Sequence, residues 1–447
     1  MHSHDVRVIS VSSTSPQSAK TAAASQTSPK SAPDHSAILS SMSPTPLITR
    51  SNDHILFLDY IRAAAIMLVF AYHALGTSFG LDQLEWKGWF RDFGVPRPFL
   101  VLLPVTFGLI GVPIFFVVSG FCIHLSFERS KRKDFGTFFT RRFFRIYPPY
   151  FLALAFFTFV FPWSKLKFSA VGDVVQLVTH VLMIHNFDER TLYAINPPFW
   201  SLAVEAQLYI LYPLFLVFTR RLSWGGAIWV VGTIELALRS ASAATFVFQW
   251  HFVPDWIWHS PFYYWFSWSI GARLADDWMR EGPVRSRTHS LWIWPALALV
   301  SFFIRPLLPF FFLLVALSTA SVIAFLLSHP AMTVSIPRLV SDHLRRVGVL
   351  SYSIYLLHSP ILTTVPWALS KLFHGYHIHP IVTFGFCLAA WVPIVFFSWT
   401  FYQLAELPSI RMGKAIDSRD RRRGTSRAHA SGSNAVPDRV PDPILSS

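Results

Sequence analysis

Leu58-Asp59-Tyr60-Ile61-Arg62-Ala63-Ala64-Ala65-Ile66-Met67-Leu68-Val69-Phe70-Ala71-Tyr72-His73 lies in the first long apolar run of this chain and carries an acid, an arginine and a histidine. The run reads as a membrane-spanning helix. An ionisable side chain at the centre of a bilayer costs roughly 2.5–3.5 kcal/mol even on the gentler insertion scale, so its default reading is functional. At about 100° per residue, the step from Arg62 to His73 is about three turns plus 20°, with a rise of about 16 Å. The two side chains therefore share a face, and Asp59 lies about 60° from Arg62 on the same side. This polar stripe is the first place to look for chemistry.

Working outward, the composition agrees. Of 447 residues, 53% are hydrophobic, 16% aromatic and only 14% charged, against about 25% charged in a soluble protein. Mean hydropathy is +0.42. Several apolar runs approach or exceed the roughly 20 residues a spanning helix needs, and they are too uniformly apolar for barrel strands. The expected fold is all-α and polytopic, a bundle of about ten transmembrane helices with disordered polar termini. The net charge of +14 fits basic loops on one side of a membrane better than nucleic-acid binding, and no nucleic-acid partner is expected. Cys122 and Cys387 both sit in apolar runs, where a structural role is expected.

Residues 1–53 are rich in Ser, Thr, Ala and Pro and read as a disordered cytoplasmic tail. No apolar core of a cleaved signal peptide precedes residue 55, so the first helix is expected to act as the insertion signal. Residues 54–405 form the membrane domain, and 406–447 a basic, disordered cytoplasmic tail. Expected spans are 55–76, 103–125, 146–163, 199–219, 224–241, 257–275, 290–304, 306–328, 347–369 and 380–403, with a tight hairpin at Arg305-Pro306. The mixed stretch 170–185 lies in the interface or lines the interior.

Loop charges test this count. Connections after even spans hold Arg129, Lys131, Arg132, Lys133, Arg141, Arg142 and Arg145, then Arg220 and Arg221, Arg280, Arg285 and Arg287, and Arg338, Arg345 and Arg346, with Arg411, Lys414 and the Arg419–Arg423 cluster in the tail. Odd connections hold fewer: Lys87, Arg91 and Arg97; Lys165, Lys167 and Arg190; Arg239; Arg305; Lys371. Both termini are therefore expected in the cytoplasm.

The stripe gains partners elsewhere. Pro197-Pro198-Phe199-Trp200-Ser201-Leu202-Ala203-Val204-Glu205 starts a helix from the outer side, and Ser201, Glu205, Tyr209 and Tyr212 fall on one face. Glu205 would then reach a depth comparable with His73, and a carboxylate can hold an imidazole tautomer or share its proton. Arg142 and Arg145, one turn apart at a cytoplasmic helix start, match phosphate oxygens as forks. The run Gly111 to Phe121, with Ser119, suits close helix packing. Ser351, Tyr355 and His358 share a face as site lining or as a hydrogen-bonded seam. Phosphate-loop, zincin and nucleophile-elbow motifs do not occur, and no metal site is expected.

Together these segments resemble the acyltransferase-3 family of integral membrane acyltransferases. The family's Leu-Asp-x-x-Arg-(x)10-His pattern is matched by Leu58, Asp59, Arg62 and His73. Its Phe-Phe-x-x-Ser-Gly-Phe segment is matched at Phe115–Phe121, and its Arg-x-x-Arg-Ile-x-Pro stretch by Arg142, Arg145, Ile146 and Pro148. Its Trp-Ser-Leu-x-x-Glu segment is matched at Trp200–Glu205, and its Ser-Tyr-x-x-Tyr-Leu-x-His segment at Ser351–His358. The matches keep the family's order across the membrane domain. Tyr60 and Ala63 stand where glycines are common, and Cys122 where an aliphatic residue is usual. The resemblance is not expected to extend to the hydrolase-like domain that some members carry after the last span.

The resemblance implies transfer of a short acyl group, such as acetyl, from acyl-CoA to a hydroxyl of a glycan, lipid-linked sugar or metabolite. The expected setting is the inner membrane of a bacterium, among lipids, with acyl-CoA as co-substrate and no permanently bound cofactor. Arg142 and Arg145 would bind the donor, while Asp59 and Arg62 position it or fix the first helix. His73, supported by Glu205, would activate the acceptor or briefly carry the acyl group. Ser119, Trp200, Ser201, Tyr209, Tyr355 and His358 would line the site. A transporter or flippase is the rival reading, since buried charges also mark transport paths. A non-catalytic sensor or scaffold is a third.

Overall fold

Apolar runs in a bilayer have no water to satisfy their backbone, so they close their hydrogen bonds as helices. In the computed structural model this holds throughout: the described residues contain helices and turns and no strand. The structure describes residues 55–80, 103–130, 133–161, 170–248, 253–282, 290–329, 337–374 and 378–418, with isolated positions 166, 168 and 376. The expected terminal tails lie largely outside these residues, as do Lys87, Arg91 and Arg97.

The helices are α1 Leu56–Phe79, α2 Gly111–Glu128, α3 Phe135–Ala155, α4 Val171–Val181, α5 Phe199–Phe248, α6 Trp265–Glu281, α7 Ser290–Phe303, α8 Phe311–Ser328, α9 Arg338–Leu372 and α10 Pro380–Ala389. Through Trp391–Phe401 and a π-turn at Tyr402–Glu406, α10 runs on to Ser418, past the expected end of the membrane domain. Among the described residues, helices at 6 places are long and apolar enough to cross a membrane. That is fewer than the ten spans expected, although each expected span falls on helix. The difference has physical causes. α5 fuses two expected spans, meeting at Ser223 with φ 65°, where Ser223 Oγ accepts from Gly226 N like an N-cap. α6 and α7 are short, and the middle of α9 is interrupted by Ser351, Ser353, Tyr355 and His358. The hairpin at Arg305 forms, with Phe302 and Phe311 closing it at 5.1 Å between rings. α4 is too short to span and turns Val171, Val174, Val175 and Val178 outward.

Small residues decide how the bundle closes. A Cβ on Gly120 would stand 1.9 Å from Trp268 O, and one on Gly271 2.0 Å from Val117 O, so α2 and α6 touch backbone to backbone. Gly348 does the same for α9 and α1, with 2.1 Å to Asp59 O. Further along the same two helices, His358 meets His73. α1 and α9 therefore run parallel. Largely exposed Trp229, Trp292, Val392 and Leu404 cover the outside with apolar surface suited to lipid.

One sequence reading needs correction. Arg239 is not a loop charge; it is buried inside α5. It donates to Glu235 at 3.0 Å and to Tyr263 O at 2.5 Å, and lies over the Tyr263 and Phe312 rings at 4.0 and 4.5 Å. Glu235 also accepts from Phe266 N at 2.9 Å, at the start of α6. Breaking such a buried pair costs about 3–5 kcal/mol, so it anchors α5 to α6.

The glycine contacts give a direct test. Gly271→Ala should destabilise the protein by about 1–3 kcal/mol, the range for overpacking. Gly385, with nothing within 4 Å of its Cβ position, should tolerate Ala or gain stability from it, since Ala is the better helix former. Thermal unfolding of the purified variants, read by tryptophan fluorescence, checks the contrast.

Candidate active site

α1, α2, α3, α5 and α9 enclose a cavity of about 120 Å³ lined by Arg62, Ser119, Cys122, Arg142, Arg145, Ser201, Glu205, Tyr209, Ser351, Tyr352 and Tyr355 among others. Its charged end is built from pairs. Arg62 Nη1 lies 3.2 Å from Asp59 Oδ1, and Nη2 donates to Cys122 Sγ at 3.1 Å. Arg142 donates to Ser126 Oγ at 2.9 Å. Arg145 Nη1 lies 2.9 Å from Glu406 Oε1. Glu205 Oε1 accepts from Ser119 Oγ at 2.9 Å and Tyr209 OH at 2.5 Å, and it interacts electrostatically with both Arg62 and Arg142.

Toward the other end Ser201 Oγ and Tyr355 OH are 2.6 Å apart. The Tyr355 ring is 5.5 Å from that of His358, whose Nε2 lies 3.4 Å from His73 Nδ1. The carbonyls fix both tautomers, because a carbonyl can only accept. His73 Nδ1 donates to Val69 O at 2.8 Å, and His358 Nδ1 donates to Tyr355 O at 2.9 Å. In each neutral ring Nε2 is then the lone pair. His358 turns its lone pair toward the His73 Nδ1–H, which leaves His73 Nε2 available to act as base or nucleophile.

Most of the candidates from sequence therefore converge on the cavity wall, but Asp59, His73 and His358 are not among its lining residues: Asp59 pairs with Arg62, and the two histidines with each other. His73 and Glu205 do not meet: Glu205 is held by Ser119 and Tyr209 in the arginine end, and the partner of His73 is His358. Trp200 is not in the cavity wall but sits edge-on to His259, with ring centroids 4.7 Å apart. Tyr212, on the same expected face as Glu205, bonds His124 at 2.9 Å instead. Sequence reasoning missed Cys122, Tyr352 and Glu406 as members of the site. Glu406 had a signal, a lone acid between the apolar Ala405 and Leu407.

Each of the five matched segments contributes at least one residue to this cavity. A family model for the acyltransferase domain of the acyltransferase-3 type matches residues 55–402. The chain belongs to the acyltransferase-3 family. Its long apolar helices are those of a multi-pass membrane protein. It is 27% identical over 341 residues to peptidoglycan O-acetyltransferase OatA of Listeria monocytogenes, covering 70% of this chain and 50% of that protein. It is 27% identical over 305 residues to the putative peptidoglycan O-acetyltransferase YrhL of Bacillus subtilis, covering 60% and 47%. It is 30% identical over 183 residues to acyltransferase MdmB of Streptomyces mycarofaciens, covering 40% and 43%. The matched region thus spans about half the length of these relatives. No solved structure matches the chain.

Cys122 reports on the cavity of this family member. It is partly exposed in the cavity wall while Cys387 is fully buried. A small methanethiosulfonate reagent should modify Cys122 and spare Cys387 in the folded protein. Intact-mass spectrometry and peptide mapping read the site; preferential modification of Cys387 would contradict this geometry.

Proposed function

We propose that this protein is a membrane O-acyltransferase that moves an acetyl or other short acyl group from acyl-CoA to a hydroxyl of a glycan. The observation that carries the reading is the cavity with guanidinium forks at one end and Tyr355 at the other, next to the His358–His73 pair. Arg142 and Arg145 suit the diphosphate of the donor, and the cavity gives its arm a way toward Tyr355. The names of the relatives, which include peptidoglycan O-acetyltransferases, support a glycan acceptor and O-acetylation. The basic loops support cytoplasmic termini in a bacterial inner membrane, with the donor entering from the cytoplasm.

In the chemical step the acceptor oxygen bonds to the thioester carbonyl carbon, the carbon–sulfur bond breaks, and the hydroxyl proton passes to His73 Nε2 and on to the leaving thiolate. If His73 carries the acyl group first, Nε2 bonds to the carbonyl carbon as the carbon–sulfur bond breaks and CoA leaves as the thiolate; the acceptor oxygen then bonds to that carbon, the carbon–Nε2 bond breaks, and the hydroxyl proton ends on the thiolate. His358 keeps the His73 ring turned in either route. Glu205 supports the site from the arginine end, balancing Arg62 and Arg142. It does not touch the imidazole.

His73→Ala, assayed as purified protein with labelled acetyl-CoA and peptidoglycan fragments, should lose about 10²–10⁴-fold in transfer, the usual contribution of a positioned acid–base. Undiminished transfer would remove His73 from the mechanism. Label retained on the wild-type protein without acceptor distinguishes the acyl-histidine route from direct transfer.

A further inference from the structure

Glu406 is fully buried, although it is a carboxylate in the last membrane helix. Such a group is costly unless it is paired, and its partner here lines the proposed donor site. Oε1 stands 2.9 Å from Arg145 Nη1, and Oε2 accepts from Ser353 Oγ at 2.6 Å. The two oxygens are thus tied to two different helices, α3 and α9. The turn that presents the residue, Tyr402–Glu406, is a π-turn, in which one extra residue re-aims the side chains, and such turns are frequent at functional sites. Beyond it the chain stays on α3: Ser409 Oγ donates to Phe144 O, and Asp417 pairs with Arg141.

Arg145 is 37% exposed and faces the cavity. A guanidinium has two edges and five donors. An anion fixed beneath one edge orients the other, so a phosphate meets a fork already in place. We infer that Glu406 is a positioning residue for the donor, a buried counter-ion that aims the Arg145 fork at the phosphates of the CoA moiety. The inference rests on the acyl-CoA reading above and adds to it a residue beyond the family match, which ends at residue 402.

Desulfo-CoA, which keeps the phosphates and lacks the thiol, is the probe, with full-length protein in lipid nanodiscs and calorimetry as the readout. Arg145→Gln should weaken binding about tenfold or more. Glu406→Gln should weaken it several-fold with an unchanged thermal midpoint in the absence of ligand. The double variant should be no weaker than Arg145→Gln, since the two act as one unit. Additive losses, or unchanged binding by Glu406→Gln, overturn the inference while leaving the donor site standing. Tighter binding by Glu406→Gln also overturns it and makes Glu406 a competitor of the phosphate. Failure of wild type to bind, or no effect of Arg145→Gln, overturns the donor reading itself and this inference with it. If Glu406→Gln does not fold, Ser353→Ala removes one of the two ties and keeps the charge. It should weaken desulfo-CoA binding about two- to fivefold, and unchanged binding would again overturn the proposal.

Discussion

A charge in hydrocarbon must find its opposite, and this site is organised by that constraint. Arg62 has Asp59, Arg145 has Glu406, and Glu205 lines the same cavity as Arg62 and Arg142. The Asp59–Arg62 pair lies within α1, whereas the Arg145–Glu406 pair ties α3 to the end of α10. The result is a pocket dense in guanidinium groups whose charge is balanced from within. Away from the pocket, Glu235 and Arg239 apply the same rule to the joint between α5 and α6. Buried ion pairs of this kind specify an arrangement more than they stabilise it, because desolvation offsets much of the attraction.

The fold class and the polar stripe were legible in the sequence because both follow from periodicity and from the cost of charge in lipid. Helical spacing correctly placed Ser201, Glu205 and Tyr209 on one wall and Ser351 with Tyr355 on another. It could not say which wall faces which. His73 and Glu205 were paired on a match of depth alone, and depth leaves the angle around the bundle axis undetermined. The neighbour of His73 is set instead by the contact of Gly348 with Asp59, which fixes the register of α9 along α1. No local pattern reports a contact between residues so far apart in the chain.

Arg239 and Glu406 failed for a related reason. Each lies near the end of an apolar run, where hydropathy falls and a loop or tail begins by default. Both are inside the helix and buried, and in each case the deciding partner is distant in sequence: Tyr263 for Arg239, Arg145 for Glu406. An isolated charge at the edge of a span is thus ambiguous until the tertiary pairing is known.

The parallel seating of α1 and α9 has a geometric consequence. The arginine end and the histidine end of the site sit on one rigid helix, braced along its length by a second that cannot slide while Gly348 rests on Asp59. Helical rise sets their separation, about 16 Å from Arg62 to His73. A donor gripped at its charged end would be measured against that fixed length. On the proposed function the site would be a ruler for the arm that carries the acyl group, and the group delivered would be whatever the arm brings to the histidine mark.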